Sequence, residues 1–365
     1  SDFPSENPRT QTRNFPYTKP LPIIMKNLQI ITLLLLSNLI FSQNGYYGNE
    51  KQIENVEKYN KEEISAEIDN EIDNEIKLFG TLLKPKNGFD KILVIISGTG
   101  QISQNAHNYL TEYLLENNIA VFRFDKRGVG KSTGTYDDRA ETYTNDFIKV
   151  INQFKTLESV QNKRIGFLGH SLGGIVSIQA VEQHIQPDFL IQWSSPIGKP
   201  RELIKYQINN GIKNYDNQII GNTDKDQIKT LDYIFGLIDQ NPKLSALELW
   251  KIAKKESKKY GINKKAYSNY LQPYKVAEAR IDNSKNHKEI EFPTLVIIGE
   301  KDILVDPKQS EIELTNIGNS NIEFKSIGGL NHFMTKTGVD WKTNEIYNVD
   351  LAFKKYIVNW INDRK

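Results

Sequence analysis

The sequence predicts an α/β protein: a mostly parallel central sheet flanked by helices, with a helical insertion late in the chain. Three observations carry this expectation. Short apolar runs alternate with amphipathic ones from Lys91 to Trp193. A G-x-S-x-G stretch, Gly169 to Gly173, falls where one such run ends and a helical pattern begins. The alternation then stops after Ser195-Pro196 and resumes only at Thr294. Strands buried on both faces read as continuous apolar runs, and helices between them give a parallel sheet.

Taken in order, residues 1–24 carry Pro, Ser, Asn, Thr and Arg without periodicity and read as a disordered leader or an expression remnant outside the fold. Met25-Lys26, the apolar run Leu28–Phe41 and the small residue Ser42 read as a signal peptide over 25–42, cut before Gln43. The run is shorter than the roughly 20 residues a span requires, so no stable membrane insertion is expected after cleavage. A retained anchor is the alternative. The expected location is periplasmic or secreted. Residues 43–62 are polar and read as a linker. The first part of the core, 63–196, opens with two strands around a turn at Asp73-Asn74, the second running through Glu75–Leu83. Strands then follow at 91–97, 119–124, 164–168 and 189–193, with helices at 109–117, 145–157 and 172–184 between them. Residues 197–290 are polar and helix-like and form the insertion, a candidate cap. The second part of the core, 291–365, supplies strands at 294–298 and 322–327 and helices at 307–316 and 345–362.

Composition narrows the chemistry. With 47 basic and 45 acidic residues, the charge gives no argument for nucleic acid as a partner. The chain has no cysteine, which removes disulfides, thiolate nucleophiles and Cys-ligated zinc. Its five histidines, at 107, 170, 184, 287 and 332, show no metal-ligand spacing, so neither a metal nor another cofactor is expected.

Ser171 lies at the centre of the G-x-S-x-G stretch, between the strand RIGFL and the helix that Leu172 opens. A serine on so tight a turn presents its hydroxyl above the sheet, and Gly169 and Gly173 permit the close crossing of strand and helix. An ordinary turn with a capping serine is the plain alternative. A serine hydroxyl needs a base, and His332, just past the last strand in Gly328–Phe333, is the candidate. His170 would point away along the turn, and His107, His184 and His287 read as surface positions. Asp302 follows the strand TLVIIG and would orient the imidazole, with Asp306 and Glu300 as rivals. The oxyanion of a tetrahedral intermediate needs backbone N–H donors. Leu172 is one candidate. The loop Gly98-Thr99-Gly100-Gln101 supplies the other, Thr99 ahead of Gln101, with Gly98 and Gly100 allowing the turn.

These stretches, together with LFGTLLKP, FDKRGVGKSTG at 124–134, WSSPIGKP at 193–200, LVIIGEKDILV at 295–305 and GGLNHF at 328–333, resemble the α/β-hydrolase superfamily, in its serine-aminopeptidase-like and acyl-esterase branch. The resemblance covers roughly residues 63–365 and implies the chain order Ser, Asp, His for the triad. It also implies that Asp125, Arg127 and Ser132 brace the loop beside the site. The chain departs from the family at 101–105, where relatives often carry a proline and an Asp-Arg pair and this sequence reads QISQN. The function expected is a carboxylesterase-like serine hydrolase acting on a small acyl ester through an acyl-enzyme. A peptidase or amidase of the serine-aminopeptidase type, and a non-catalytic binding module on the same fold, are the alternatives.

Overall fold

The computed structural model describes residues 50–68, 76–212, 223–336 and 344–364. The leader, the signal-peptide segment and the turn at Asp73-Asn74 lie outside them. The strands are β1 (Tyr59–Ile68), β2 (Ile76–Pro85), β3 (Lys91–Ile96), β4 (Ile119–Phe124), β5 (Arg164–His170), β6 (Phe189–Trp193), β7 (Thr294–Gly299) and β8 (Ile322–Ile327). They form an eight-stranded sheet in the order β1-β2-β4-β3-β5-β6-β7-β8. β1–β2 and β2–β4 pair antiparallel; every later pairing is parallel.

Side chains along β3 divide between two cores, as a strand's two-residue period requires. Ile92, Val94 and Ile96 pack with Phe147, Phe154 and Val176, from helices α2 (Ala140–Phe154) and α3 (Leu172–Glu182). Leu93 and Ile95 pack with Leu110, Leu114, Phe353 and Ile357, from α1 (Asn108–Glu116) and α11 (Leu351–Asn362). Phe154 stacks on Phe122 with centroids 4.2 Å apart, and truncating it to alanine should cost about 3–5 kcal/mol.

Three boundaries differ from expectation. The segment read as a linker over 43–62 becomes strand from Tyr59, and its described part is fastened to α1: Tyr109 N donates to Glu50 Oε1 at 3.1 Å and Glu54 N to Glu112 Oε1 at 2.9 Å. Its polar residues are bonded to partners distant in sequence, which composition does not reveal. Helix α2 starts at Ala140, ahead of the expected Asn145. Helix α11 starts at Leu351, not Glu345, because the Asp350 carboxylate caps it by accepting from Ala352 N at 2.7 Å.

Between β6 and β7 the described chain is helical: α4 (Pro200–Asn209), α5 (Asp224–Gln240), α6 (Ala246–Tyr260), α7 (Lys264–Tyr270), α8 (Pro273–Arg280) and α9 (Asn283–Lys288). Helix α6 carries a full capping box, Ser245 with Glu248, and ends on Gly261 at φ 67°, so its limits are set locally. The insertion has a core of its own, including Leu231, Ile234, Phe235, Leu249, Tyr267 and Tyr270, with Tyr233 and Trp250 against it. Its aromatics therefore serve mainly to join its helices. Tyr206 is different: its hydroxyl donates to Asp302 O at 2.6 Å, tying α4 to the loop after β7. The helix α10 (Pro307–Ile317) completes the layer beyond β7. Among the described residues no helix is long and apolar enough to cross a membrane.

Candidate active site

The turn from β5 to α3 places Ser171 at φ 53° and ψ −118°, a conformation that L residues adopt only when the surroundings enforce it. The enforcing contacts are visible. Ser171 N donates to Trp193 O at 2.9 Å, and Gly174 N donates to Ser171 O at 2.9 Å. The flanking glycines are obligatory. A Cβ on Gly169 would lie 2.4 Å from Gly173 O, and one on Gly173 would lie 2.0 Å from Ile96 O. The Ser171 hydroxyl accepts no hydrogen bond from the helix it precedes, so it is not a capping serine.

His332 lies in the loop after β8 and is 3% exposed. Its Nδ1 meets Asp302 Oδ2 at 2.9 Å. The other Asp302 oxygen, Oδ1, accepts from Leu304 N at 2.8 Å and Val305 N at 2.9 Å, so the loop's own backbone aims the carboxylate. The rivals are occupied elsewhere. Asp306 caps α10 through Lys308 N and Gln309 N, and exposed Glu300 accepts from Gly329 N. With Nδ1 engaged by a carboxylate, Nε2 is the nitrogen left for chemistry.

Trp193 joins the serine turn to the histidine loop. Its carbonyl accepts from Ser171 N, and its indole Nε1 donates to His332 O at 3.1 Å. Gly299, at the end of β7, admits the same loop, since a Cβ there would stand 2.4 Å from Leu330 O and Asn331 O. Among the described residues no hydrogen bond joins Ser171 Oγ to the imidazole. Such contacts commonly tighten only in the substrate complex.

Two of the three histidines read as surface positions depart from that reading. His184 is exposed, as expected. His107 and His287 are buried, at 2% and 0% exposure. His107 packs edge-on to Trp193 at 5.4 Å, and His287 sits between Asn283 O and Gln192 Oε1, because long-range packing covers segments that look polar in sequence. His170 is buried beside the turn: its ring stacks on Trp193 at 4.2 Å and lies 5.2 Å from that of His332. Burial, followed by the neighbouring His332 and His107 rings, holds its pKa well below the ordinary histidine value, which makes it a poor base.

The loop after β3 passes beside the serine turn: a Cβ on Gly98 would lie 3.3 Å from Ser171 Cβ. Thr99 follows and is exposed, and Gly100 takes φ 113°. Leu172 opens α3, whose first N–H groups have no partner within the helix. Asp125 accepts from Gln104 N at 2.6 Å, Gln104 Nε2 at 2.9 Å and Lys131 N at 2.9 Å. Thus the unusual QISQN segment is anchored through Gln104. Arg127 grips Asp146 with two bonds, Nε at 2.8 Å and Nη2 at 2.5 Å. Ser132 Oγ donates to Asp125 O and accepts from Phe79 N. Sequence reasoning missed Trp193 and two charged residues, Lys126 and Asp138, that contact the Gly98–Gly100 backbone. A buried lysine inside a motif leaves no periodic signal. Among the described residues no group of three or more His, Asp or Glu could hold a metal ion.

Comparison with known proteins agrees with this architecture. The serine aminopeptidase S33 family matches residues 88–229. Over 98 residues, 27% of this chain, the sequence is 36% identical to protein phosphatase methylesterase 1 of Candida albicans. Over a stretch of the same length it is 34% identical to the uncharacterized protein YfhR of Salmonella typhi. These matches span 26% and 32% of those proteins' lengths. Among solved structures, the esterase Pf2001 of Pyrococcus furiosus superposes with a TM-score of 0.53 at 19% identity, covering 87% of this chain and 99% of that one. By its sheet order, its flanking helices and this superposition, the chain has the α/β-hydrolase fold.

Proposed function

We propose that the protein is a serine hydrolase that cleaves small carboxylic esters through an acyl-enzyme. The observation that supports this most is the buried Asp302–His332 pair, tied through Trp193 to the strained Ser171 turn. In this reading His332 Nε2 takes the Ser171 proton as Oγ attacks the acyl carbonyl. The oxyanion that forms is met by Thr99 and Leu172 N–H groups. The imidazolium returns its proton to the leaving alcohol, and water repeats the sequence to release the acid. Asp125 and Arg127 hold the neighbouring loop and take no part in bond making.

The methylesterase match favours an ester; the aminopeptidase family match favours amide hydrolysis as the second reading. The helical insertion would act as a cap that reads the acyl chain, and the 25–42 segment would direct export, with the mature chain starting near Gln43. Assaying p-nitrophenyl esters of increasing acyl length beside aminoacyl p-nitroanilides decides between ester and amide. The proposal expects ester kcat/KM to exceed amide kcat/KM by about 100-fold or more, the equivalent of about 3 kcal/mol. Amide turnover equal to the best ester would replace it with the peptidase reading. Inertness toward both, with no labelling by a fluorophosphonate, would favour a binding module.

A further inference from the structure

One ion pair, a buried lysine with a half-buried aspartate, grips the backbone on both sides of Thr99. Lys126 Nζ donates to Gly98 O at 2.6 Å and to Asp138 Oδ1 at 2.6 Å. Asp138 Oδ2 accepts from Gly100 N at 2.7 Å. The Lys126 side chain is 2% exposed, and its ammonium lies 4.4 Å from the centre of the Tyr143 ring. Tyr143 OH in turn donates to Ser97 O, the residue before the loop. The Tyr136 phenol lies against Asp138 and the Gly100 backbone, and its pKa is raised by burial and then by the Asp138 charge.

Such an arrangement does more than hold a turn. A trans peptide is planar, with its C=O and N–H directed oppositely. Fixing Gly98 O on Lys126 therefore fixes Thr99 N–H in the reverse direction. Fixing Gly100 N–H on Asp138 sets the next peptide unit in the same way. Among the described residues Thr99 N–H donates to no partner, and the loop that carries it runs beside Ser171, so close that a Cβ on Gly98 would stand 3.3 Å from Ser171 Cβ. An ammonium on the carbonyl oxygen also draws electron density from the amide, which strengthens the N–H of that same amide as a donor. Stability alone is a weak reason for such a pair, because hydrophobic residues of similar volume often serve a buried site as well.

We propose that the Lys126–Asp138 pair orients and polarises Thr99 N–H as an oxyanion donor, which makes Lys126 and Asp138 positioning residues for acyl transfer. The inference rests on the ester-hydrolase reading. Its test uses the full chain and the variants Lys126→Met, Lys126→Arg, Asp138→Asn and Lys126→Met/Asp138→Asn. Two quantities are measured: steady-state kinetics on p-nitrophenyl acetate, and inhibition by an alkyl trifluoromethyl ketone, whose hemiketal oxyanion occupies the site that the intermediate would. For Lys126→Met, kcat should fall ~10–100-fold and the inhibition constant should rise by the same factor, while KM stays within about threefold. Lys126→Arg, which keeps charge and donors, should recover part of both. The double variant leaves no unpaired buried charge, and it gives the same readout if the single one does not fold. A folded variant with kcat and inhibitor affinity both near wild type overturns the proposal, as does a change confined to KM. A wild-type protein that neither turns over esters nor reacts with a fluorophosphonate overturns the underlying hydrolase reading instead.

Discussion

Replacing Asp302 by asparagine should nearly abolish turnover while leaving the protein folded. The side chain has two separate tasks. Oδ1 holds Leu304 N and Val305 N, and Oδ2 faces His332 Nδ1 at 2.9 Å. Asparagine keeps an oxygen for the first task and places an amide N–H₂ opposite the imidazole. That amide donates, so Nδ1 must accept, and the ring proton moves to Nε2, where the serine proton has to go. The equivalent exchange in the template Ser-His-Asp triad lowers kcat about 10⁴-fold, or about 5.5 kcal/mol of barrier. Because the loop bonds survive, unfolding free energy should change by no more than ~1 kcal/mol. Steady-state hydrolysis of a p-nitrophenyl ester, beside urea unfolding, measures both. Asp306→Asn is the control, and it should keep nearly full activity because asparagine also caps a helix. A folded Asp302→Asn variant within tenfold of wild type, or an equal loss in Asp306→Asn, would refute the assignment.

Two glycines should respond to alanine with opposite signs. Gly173→Ala drives a Cβ to 2.0 Å from Ile96 O and should destabilise by at least ~2 kcal/mol, whereas Gly236→Ala, in α5 with nothing within 4 Å, should stabilise by ~0.5–1 kcal/mol. Urea unfolding of both variants checks this, and equal effects would contradict the packing described. Acid should weaken the fold through its neutral histidines. Burial, then Arg123, depresses His107 to about 3, so its contribution is complete above pH ~6.5 and is lost as pH falls toward 3, with His170 acting in the same direction. Glu50 opposes them, because burial raises its carboxyl to about 7 and its contribution is lost as pH rises through 7. Glu50→Gln should therefore lose ~2 kcal/mol more than wild type between pH 7.5 and 5.5, and parallel losses in the two proteins would rule out that role for Glu50.

The alternation of KILVII, IAVFRF, RIGFL and FLIQW with amphipathic segments was sufficient to read the parallel sheet, because buried strands and covering helices have different periods. The structure brings Asp302 and His332 into contact although 30 residues separate them in sequence, and their loops both leave the carboxyl ends of parallel strands. Residues whose role depends on long-range contact were not legible. Trp193 reads as one more apolar residue until its indole is seen to hold His332 O. Lys126 is one more residue of a motif until its ammonium is found buried on Gly98 O. The polar stretch before Tyr59 reads as a linker because its bonds to α1 leave no trace in composition.

The central claim is that Ser171 is an activated nucleophile. Treating the protein with a fluorophosphonate and mapping the adduct by peptide mass spectrometry tests it most directly. The account predicts stoichiometric modification of Ser171, blocked by prior acylation with substrate, absent in Ser171→Ala and strongly slowed in Asp302→Asn. An unmodified Ser171 in folded protein that still hydrolyses esters, or an adduct on a different serine, would contradict it.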